Sequence, residues 1–163
     1  MEGEIKNQVV FNSEEEIKIL NGTRLICKRP EFSDYDFIRL FFAFINKKGQ
    51  LSFDRNMLRY QLYEYYHMEE YRQLFQDIAV KQQIEGNFLD IEEALQNAVL
   101  YGLINSFNSQ PSGNKRLIFI DKEQCEEILH SYSDDYVNKM DCLTDLYLED
   151  LLLNKEKIKN ISK

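Results

Sequence analysis

Histidine and cysteine are the residues of this chain whose types could bind a metal ion. The two histidines, His67 and His130, lie far apart, and neither has a His or Cys three or four positions later. Cys125 and His130 are five positions apart, which is poor spacing for two ligands on one face of a helix. No zinc-finger or EF-hand pattern occurs. The sequence therefore predicts no metal site.

Nucleophilic catalysis and nucleotide binding also lack their usual sequence patterns. No Gly-x-Ser-x-Gly segment occurs, and a cysteine–histidine pair could assemble only through the tertiary fold. The six glycines are too scattered to form a phosphate-binding loop. Cys27, Cys125 and Cys142 are interpreted as small buried hydrophobic residues. We expect no enzymatic activity, no catalytic residue and no cofactor, and we leave open an enzyme whose site forms only in three dimensions.

Four basic residues are the candidates for contact with nucleic acid: Arg55, Arg59, Lys115 and Arg116. The two arginines of the first pair are one helical turn apart, and the second pair adjoins a predicted loop. Residues 82–114, however, contain no Lys or Arg and do contain four carboxylates, and the whole chain has a net charge of -8. Because phosphates repel such a surface, DNA binding is the disfavoured alternative.

Tyrosine and acidic side chains are the candidates for contact with a protein partner. Five tyrosines crowd residues 60–71, and some of them must face outward if that segment is helical. Tyrosine is enriched in interface hot spots. The predicted C-terminal helix carries an acidic stripe beside a broad leucine surface, which could dock on the domain or form a homodimer with a second copy. The candidate interface residues are Tyr63, Tyr66, Asp141, Asp145 and Glu149.

Composition and charge favour one helical domain in a reducing compartment. The chain has 163 residues, 44% of them hydrophobic, with only 6 Gly and 2 Pro to interrupt helices. An odd number of cysteines without a Cys-x-x-Cys pair predicts free thiols. The first residues lack the pattern of a secretory signal, and the apolar runs are too short to span a membrane. We therefore expect a cytoplasmic protein.

The spacing of apolar residues, caps and turns predicts the elements that position these side chains. Asn21-Gly22 suits a two-residue turn between strands at about residues 16–20 and 23–28, so residues 1–32 form a β-hairpin appendage. A lone hairpin is marginally stable, so this one must pack on another surface. Helices are predicted from Ser33 to Gly49, from Asp54 to Tyr66, from Glu69 to Gln82, from Asp90 to Gly102, from Asp121 to Tyr132 and from Ser133 to about residue 159.

A second hairpin is predicted after the fourth helix. Leu103 to Phe107 forms one strand, residues 111–114 form a loop, and Arg116 to Ile120 forms the returning strand. The order of these elements is several helices, a helix that ends at Gly102, the segment Gly-Leu-Ile, and then a hairpin. In pattern and topology this order resembles the winged-helix superfamily. The resemblance covers residues 33–120 and implies a helical domain whose second hairpin is the wing. Residues 121–163 would form C-terminal helices that pack on this domain or on a partner.

The expected fold is therefore mainly α (α+β): a helical bundle with a winged-helix-like core, an N-terminal β-hairpin, a second β-hairpin and C-terminal helices. The expected function is that of a small acidic, non-enzymatic protein-interaction module. By analogy it resembles a regulator, an antitoxin or an inhibitor from a bacterium or mobile element, with a protein as its partner. The alternative is a winged-helix transcriptional regulator that contacts DNA. No membrane partner is expected.

Overall fold

A computed structural model describes residues 15–20, 23–28, 31–83, 86–106 and 115–161, with side chains described over 31–78, 89–106 and 115–155. The described chain is mainly helical with short antiparallel strand pairs, as predicted. In chain order its elements are β1 (Glu15–Leu20), β2 (Thr23–Lys28), α1 (Asp34–Lys47), β3 (Ser52–Asp54), α2 (Arg55–Tyr66), a 3₁₀ helix (Glu69–Phe75), β4 (Ala79–Gln83), β5 (Gly86–Asp90), α3 (Glu92–Leu100), β6 (Lys115–Leu117), α4 (Lys122–His130) and α5 (Asp134–Ile161).

The N-terminal hairpin has the strands that the Asn-Gly turn predicted. β1 and β2 pair antiparallel, with Leu20 opposite Thr23, so two residues connect the strands. The connecting residues 21–22 lie outside the described part of the chain.

Helix α1 is the centre of the hydrophobic core. Ser33 begins it with a capping box: the Ser33 hydroxyl accepts from the Asp36 amide at 3.1 Å, and the Asp36 carboxylate accepts from the Ser33 amide at 3.0 Å. After the helix, Gly49 takes a φ of 96°, a conformation that glycine adopts without steric cost. Helices α3, α4 and α5 all contact α1. The helix is apolar on almost every side because its buried residues are Phe37, Ile38, Leu40, Phe41, Phe42, Ala43, Phe44 and Ile45.

Helices α4 and α5 begin where the sequence predicted. The Asp121 carboxylate accepts from the Gln124 amide at 2.8 Å and caps α4. Helix α5 folds back along α1 and the 3₁₀ helix. The part of its apolar stripe from Tyr136 to Tyr147 is buried, whereas Leu152 and Leu153 further along are exposed. No helix in the described residues is long and apolar enough to cross a membrane.

The prediction of a helix from Glu69 to Gln82 was wrong beyond Phe75. A 3₁₀ helix ends at Phe75, and β4 and β5 then form an antiparallel hairpin with Gln83 opposite Gly86. Strand β5 packs against α2, and its Leu89 is completely buried, so a long-range contact overrides the local preference for helix. Asp90 consequently ends a strand and Ile91 occupies the N-cap of α3, while the Asp90 carboxylate accepts from the Glu92 amide at 3.4 Å.

The second predicted hairpin is present as a short antiparallel contact, and the prediction missed a further strand. Ile104 lies opposite Ile118, the Asn105 amide donates to the Leu117 carbonyl at 3.0 Å, and the Phe119 amide donates to the Leu103 carbonyl at 2.8 Å. The other edge of strand β6 pairs with β3, with Phe53 opposite Arg116. The side chain of Asn105 accepts the Leu117 amide at 2.9 Å, which takes the place of a backbone bond and ends the ladder. The loop residues 107–114 lie outside the described part of the chain.

Candidate functional site

The first two arginines predicted to contact nucleic acid are held together by one carboxylate. Asp54 caps α2 by accepting the Met57 amide at 2.9 Å, so Arg55 and Arg59 lie one turn apart near the start of that helix. The Glu92 carboxylate on α3 lies 3.3 Å from the Arg55 guanidinium and 3.7 Å from that of Arg59. These ion pairs connect α2 to the first turn of α3.

Arg116 approaches the same region from strand β6. Its Nη1 donates to the backbone carbonyls of Asn105 at 3.2 Å and Ser106 at 2.8 Å. Its Nε is buried without a hydrogen bond, and the ion pairs within the described residues do not include it. Lys115 is exposed and lies opposite Asp54 in the sheet. Three of the four predicted basic residues therefore converge on α3, while Lys115 faces solvent.

A groove runs along α3 beside Arg116. Its volume is about 440 Å³, within the usual range for ligand sites. Its helical residues follow the spacing of one helix face, with the carboxylate at the beginning and apolar side chains further along. We call this the α3 groove. It is lined by Glu92, Leu95, Gln96, Val99, Leu100, Ser106 and Arg116.

Exposed apolar side chains adjoin the α3 groove. Leu100 is 79% exposed and Tyr101 is 68% exposed, and the Tyr101 ring lies 5.3 Å from that of Tyr35. Leu117 and Phe119 are also about half exposed. Alternate residues of an extended segment face opposite sides, so Ile118 and Ile120 point into the core while these two point outward. The Phe119 amide donates to the Leu103 carbonyl at 2.8 Å, which brings these segments together. We call Leu100, Tyr101, Leu117 and Phe119 the α3–β6 surface.

Two of the acidic residues predicted to contact a partner bind a lysine of the same chain. The Lys48 ammonium lies 2.7 Å from the Asp141 carboxylate and 2.9 Å from that of Asp145. It also donates at 2.7 Å both to the Asp141 carbonyl and to the Thr144 hydroxyl. Glu149, by contrast, is exposed on α5. The Lys48 contacts fasten the end of α1 to α5, so part of the acidic stripe stabilises the fold.

The predicted interface tyrosines are half-buried. The His67 ring lies 4.7 Å from the ring of Tyr63 and 5.3 Å from that of Tyr66, and Tyr66 also contacts Phe75. A role for them in partner binding stays a prediction.

A further member of the tyrosine cluster is tied into the fold. The Tyr65 hydroxyl donates to the Asp150 carboxylate at 2.5 Å. Burial, followed by this hydrogen bond, raises the pKa of Tyr65 above its ordinary value. Tyr65 therefore serves to hold α2 against α5.

The described cysteines offer little catalytic chemistry. Cys125 is buried as predicted, and burial raises the pKa of its thiol, which lowers the population of the reactive thiolate. Cys142 is exposed, so the prediction that it is buried was wrong: it lies outside the buried stripe of α5. The side chain of Cys27 lies outside the described residues. In the part of the chain with described side chains, no three His, Cys, Asp or Glu residues are arranged to hold a metal ion.

Sequence reasoning missed Glu92 as a site residue, together with the α3–β6 surface. The spacing of residues 92, 95, 96, 99 and 100 along one helix face was the available signal for the groove. Nothing local in the sequence shows that Glu92 faces Arg55. Comparisons of the chain with protein-family models, with curated proteins and with solved structures found no match.

Proposed function

We propose that this protein is a non-enzymatic interaction module that binds a partner protein through the α3–β6 surface. The observation that carries the proposal is the exposure of four large apolar side chains in neighbouring segments. A single exposed apolar residue is ordinary, whereas several in one region indicate a surface that a partner covers. Aromatic residues such as Tyr101 and Phe119 are the side chains that most often dominate binding energy.

The chemistry of α3 supports a protein partner over DNA. Its exposed residues include Glu93, Gln96 and Leu100, and the helix contains no Lys or Arg. The nearby Arg55 and Arg59 already face Glu92, so a phosphate would have to compete with a carboxylate for them. Apolar and acidic side chains suit a protein surface far better than a row of phosphates.

A winged-helix-like core is part of the proposal. Strand β3 lies between α1 and α2 and pairs with β6, while residues 103–105 touch the other edge of β6. This order of helices and strands supports the resemblance. In DNA-binding members the helix before the wing enters the major groove, and α3 would take that position here. We propose that α3 instead faces a protein, as in a regulator or inhibitor.

The cytoplasm is the compartment in which we place this activity. Cys125 and Cys142 are free thiols, which suits a reducing environment.

Capture of partners from the cells that encode the protein tests the proposed surface. The test variant carries Leu100→Ser and Phe119→Ser, and the control carries Leu152→Ser and Leu153→Ser. All four side chains are more than half exposed, so each pair should change stability little. We expect a protein retained by the wild type and the control to be lost by the test variant. Identical sets of captured proteins for all three would refute the proposal.

The same control pair tests the predicted homodimer through α5. If the exposed leucines at the end of that helix join two copies, light scattering should show a wild-type dimer that the Leu152→Ser and Leu153→Ser variant loses. A wild-type monomer would remove the homodimer from the proposal while leaving the α3–β6 surface unaffected.

DNA binding is the second candidate function, because Arg55, Arg59 and Arg116 approach one region. Fluorescence anisotropy with duplex DNA at low salt tests it. We expect no binding by the wild type, and weak binding to emerge in Glu92→Gln, which removes the carboxylate facing two of the guanidinium groups. Salt-dependent wild-type binding that Arg55→Gln and Arg59→Gln both weaken would establish the DNA-binding alternative.

A further inference from the structure

We infer that the α3 groove binds an acidic segment of the partner protein. In this arrangement a carboxylate of the partner pairs with Arg116, and an adjoining apolar side chain lies on Leu95, Val99 and Leu100. The inference rests on the proposed function, because it specifies the chemistry of the partner at that surface.

The first argument is the local balance of charge. Two charged side chains line the groove, Glu92 and Arg116, and Glu92 faces the two arginines of α2, Arg55 and Arg59. The ion pairs within the described residues do not include Arg116. The positive charge of Arg116 is therefore the lining charge that these ion pairs leave for a partner.

The second argument is the hydrogen bonding of Arg116. Its Nη1 donates to two backbone carbonyls, which fix the direction of the guanidinium. Because carbonyls are neutral, they do not balance its positive charge. Its Nε makes no hydrogen bond within the described residues, so the hydrogen bonds of this guanidinium there go to neutral carbonyls. A carboxylate supplies oxygens whose spacing matches the parallel N–H donors of a guanidinium.

The third argument is that apolar side chains line part of the groove beside Arg116. Leu95, Val99 and Leu100 succeed one another along the face of α3 that begins at Glu92. Free phosphate would use the arginine and leave this apolar wall in water. A nucleic-acid backbone would place further phosphates near the exposed carboxylate of Glu93. An acidic peptide with a neighbouring Leu or Phe satisfies both parts of the groove.

Binding of a small amphipathic acid tests this chemistry without knowledge of the partner. The probe is 4-phenylbutyrate, compared with the neutral 4-phenylbutyramide and with inorganic phosphate, each titrated into the full chain and followed by amide NMR. We expect shifts confined to α3, residues 103–106 and β6. The acid should bind about tenfold more tightly than the amide, the low end for a hydrogen bond to a charged group.

Two variants assign that preference to Arg116. Arg116→Gln replaces the charged group with a neutral one and should abolish the difference between acid and amide. Arg39→Gln makes the same change in net charge at α1, where the arginine contacts Tyr132, and should preserve the preference. Dispersed NMR spectra verify that both variants fold.

Several outcomes would overturn the inference. They are equal binding of acid and amide, shifts outside the groove, a preference that survives Arg116→Gln, and competition by phosphate as strong as that of the acid. Partner capture distinguishes a failure of the acidic-segment inference from a failure of the proposed function. If the Leu100→Ser, Phe119→Ser variant loses a partner that Arg116→Gln retains, the proposed function stands and the acidic segment does not.

Discussion

Replacing Lys48 with Met should lower the free energy of unfolding by about 2 kcal/mol, since the ammonium joins the end of α1 to α5. The side chain is 19% exposed and contacts two carboxylates, a carbonyl and the hydroxyl of Thr144. The Asp141 and Asp145 side chains are at least half exposed, so their two ion pairs contribute about 1 kcal/mol together. Thr144 is fully buried, and loss of the bond its hydroxyl accepts adds about 1 kcal/mol.

Methionine is the appropriate replacement because it keeps most of the length of the lysine stem. The Lys48 ammonium lies 5.1 Å from the centre of the Phe44 ring, and the methionine thioether can occupy the space beside that ring. The change therefore removes the charge and the donors while keeping the packing.

Urea unfolding followed by circular dichroism measures the loss. For a chain of this length about 2 kcal/mol corresponds to a fall in Tm of roughly 4–8 °C. Added salt should reduce the difference between variant and wild type, because it screens the half-exposed ion pairs.

Lys139→Met is the matched control for the Lys48 prediction. Lys139 pairs with Asp135 one turn away at 2.8 Å on the exposed surface of α5, so its loss should cost only about 0.3–0.5 kcal/mol. If Lys48→Met and Lys139→Met destabilise the protein equally, the Lys48 contacts do not fasten α1 to α5 and the reasoning fails.

Three further predictions follow from burial and capping. Mass spectrometry after mild alkylation should find Cys142 modified and Cys125 intact until urea unfolds the chain, because Cys125 is buried and its thiol pKa is raised; rapid native labelling of Cys125 would contradict this. Burial raises the pKa values of Tyr65 and Tyr147 above 10.0, so the folded state holds these protons more tightly than the unfolded state does. The stability that these buried, protonated hydroxyls contribute is complete below pH 10.0 and is lost as the pH rises above it. The absorbance of the two phenolates should therefore appear together with unfolding. Ionisation of Tyr65 and Tyr147 at an ordinary pKa in the folded protein would refute this prediction. Ser33→Ala removes a capping box and should cost about 1 kcal/mol in urea unfolding, and an unchanged midpoint would contradict it.

The parts of the fold that sequence predicted depend on contacts within a few residues. Ser33, Asp54 and Asp121 each accept a backbone amide three residues later, so the residue type and its place before an apolar repeat mark the start of a helix. The Asn-Gly pair similarly predicted the register of the two strands beside it, in which Leu20 lies opposite Thr23.

The errors fall where partners are distant in the chain. The β4–β5 segment was assigned to a helix because its pairing and its packing on α2 cannot be read from a short window. The one-turn spacing of Arg55 and Arg59 predicted that they would lie together. It gave no sign of Glu92, which follows Arg55 by 37 residues and neutralises part of their charge.

Net charge and local charge would act at different stages of the partner binding that we propose. The overall charge of -8 acts on an approaching partner, but it is screened beyond a Debye length of about 8 Å at physiological salt. Within that distance the charges of the side chains on each element determine whether a partner is attracted or repelled. Helix α5 presents exposed carboxylates such as Glu149, whereas the α3 groove presents Arg116 beside apolar residues. The acidic partner segment that we infer would therefore be repelled from α5 and attracted to Arg116 in the α3 groove, which would orient the segment before the apolar side chains meet.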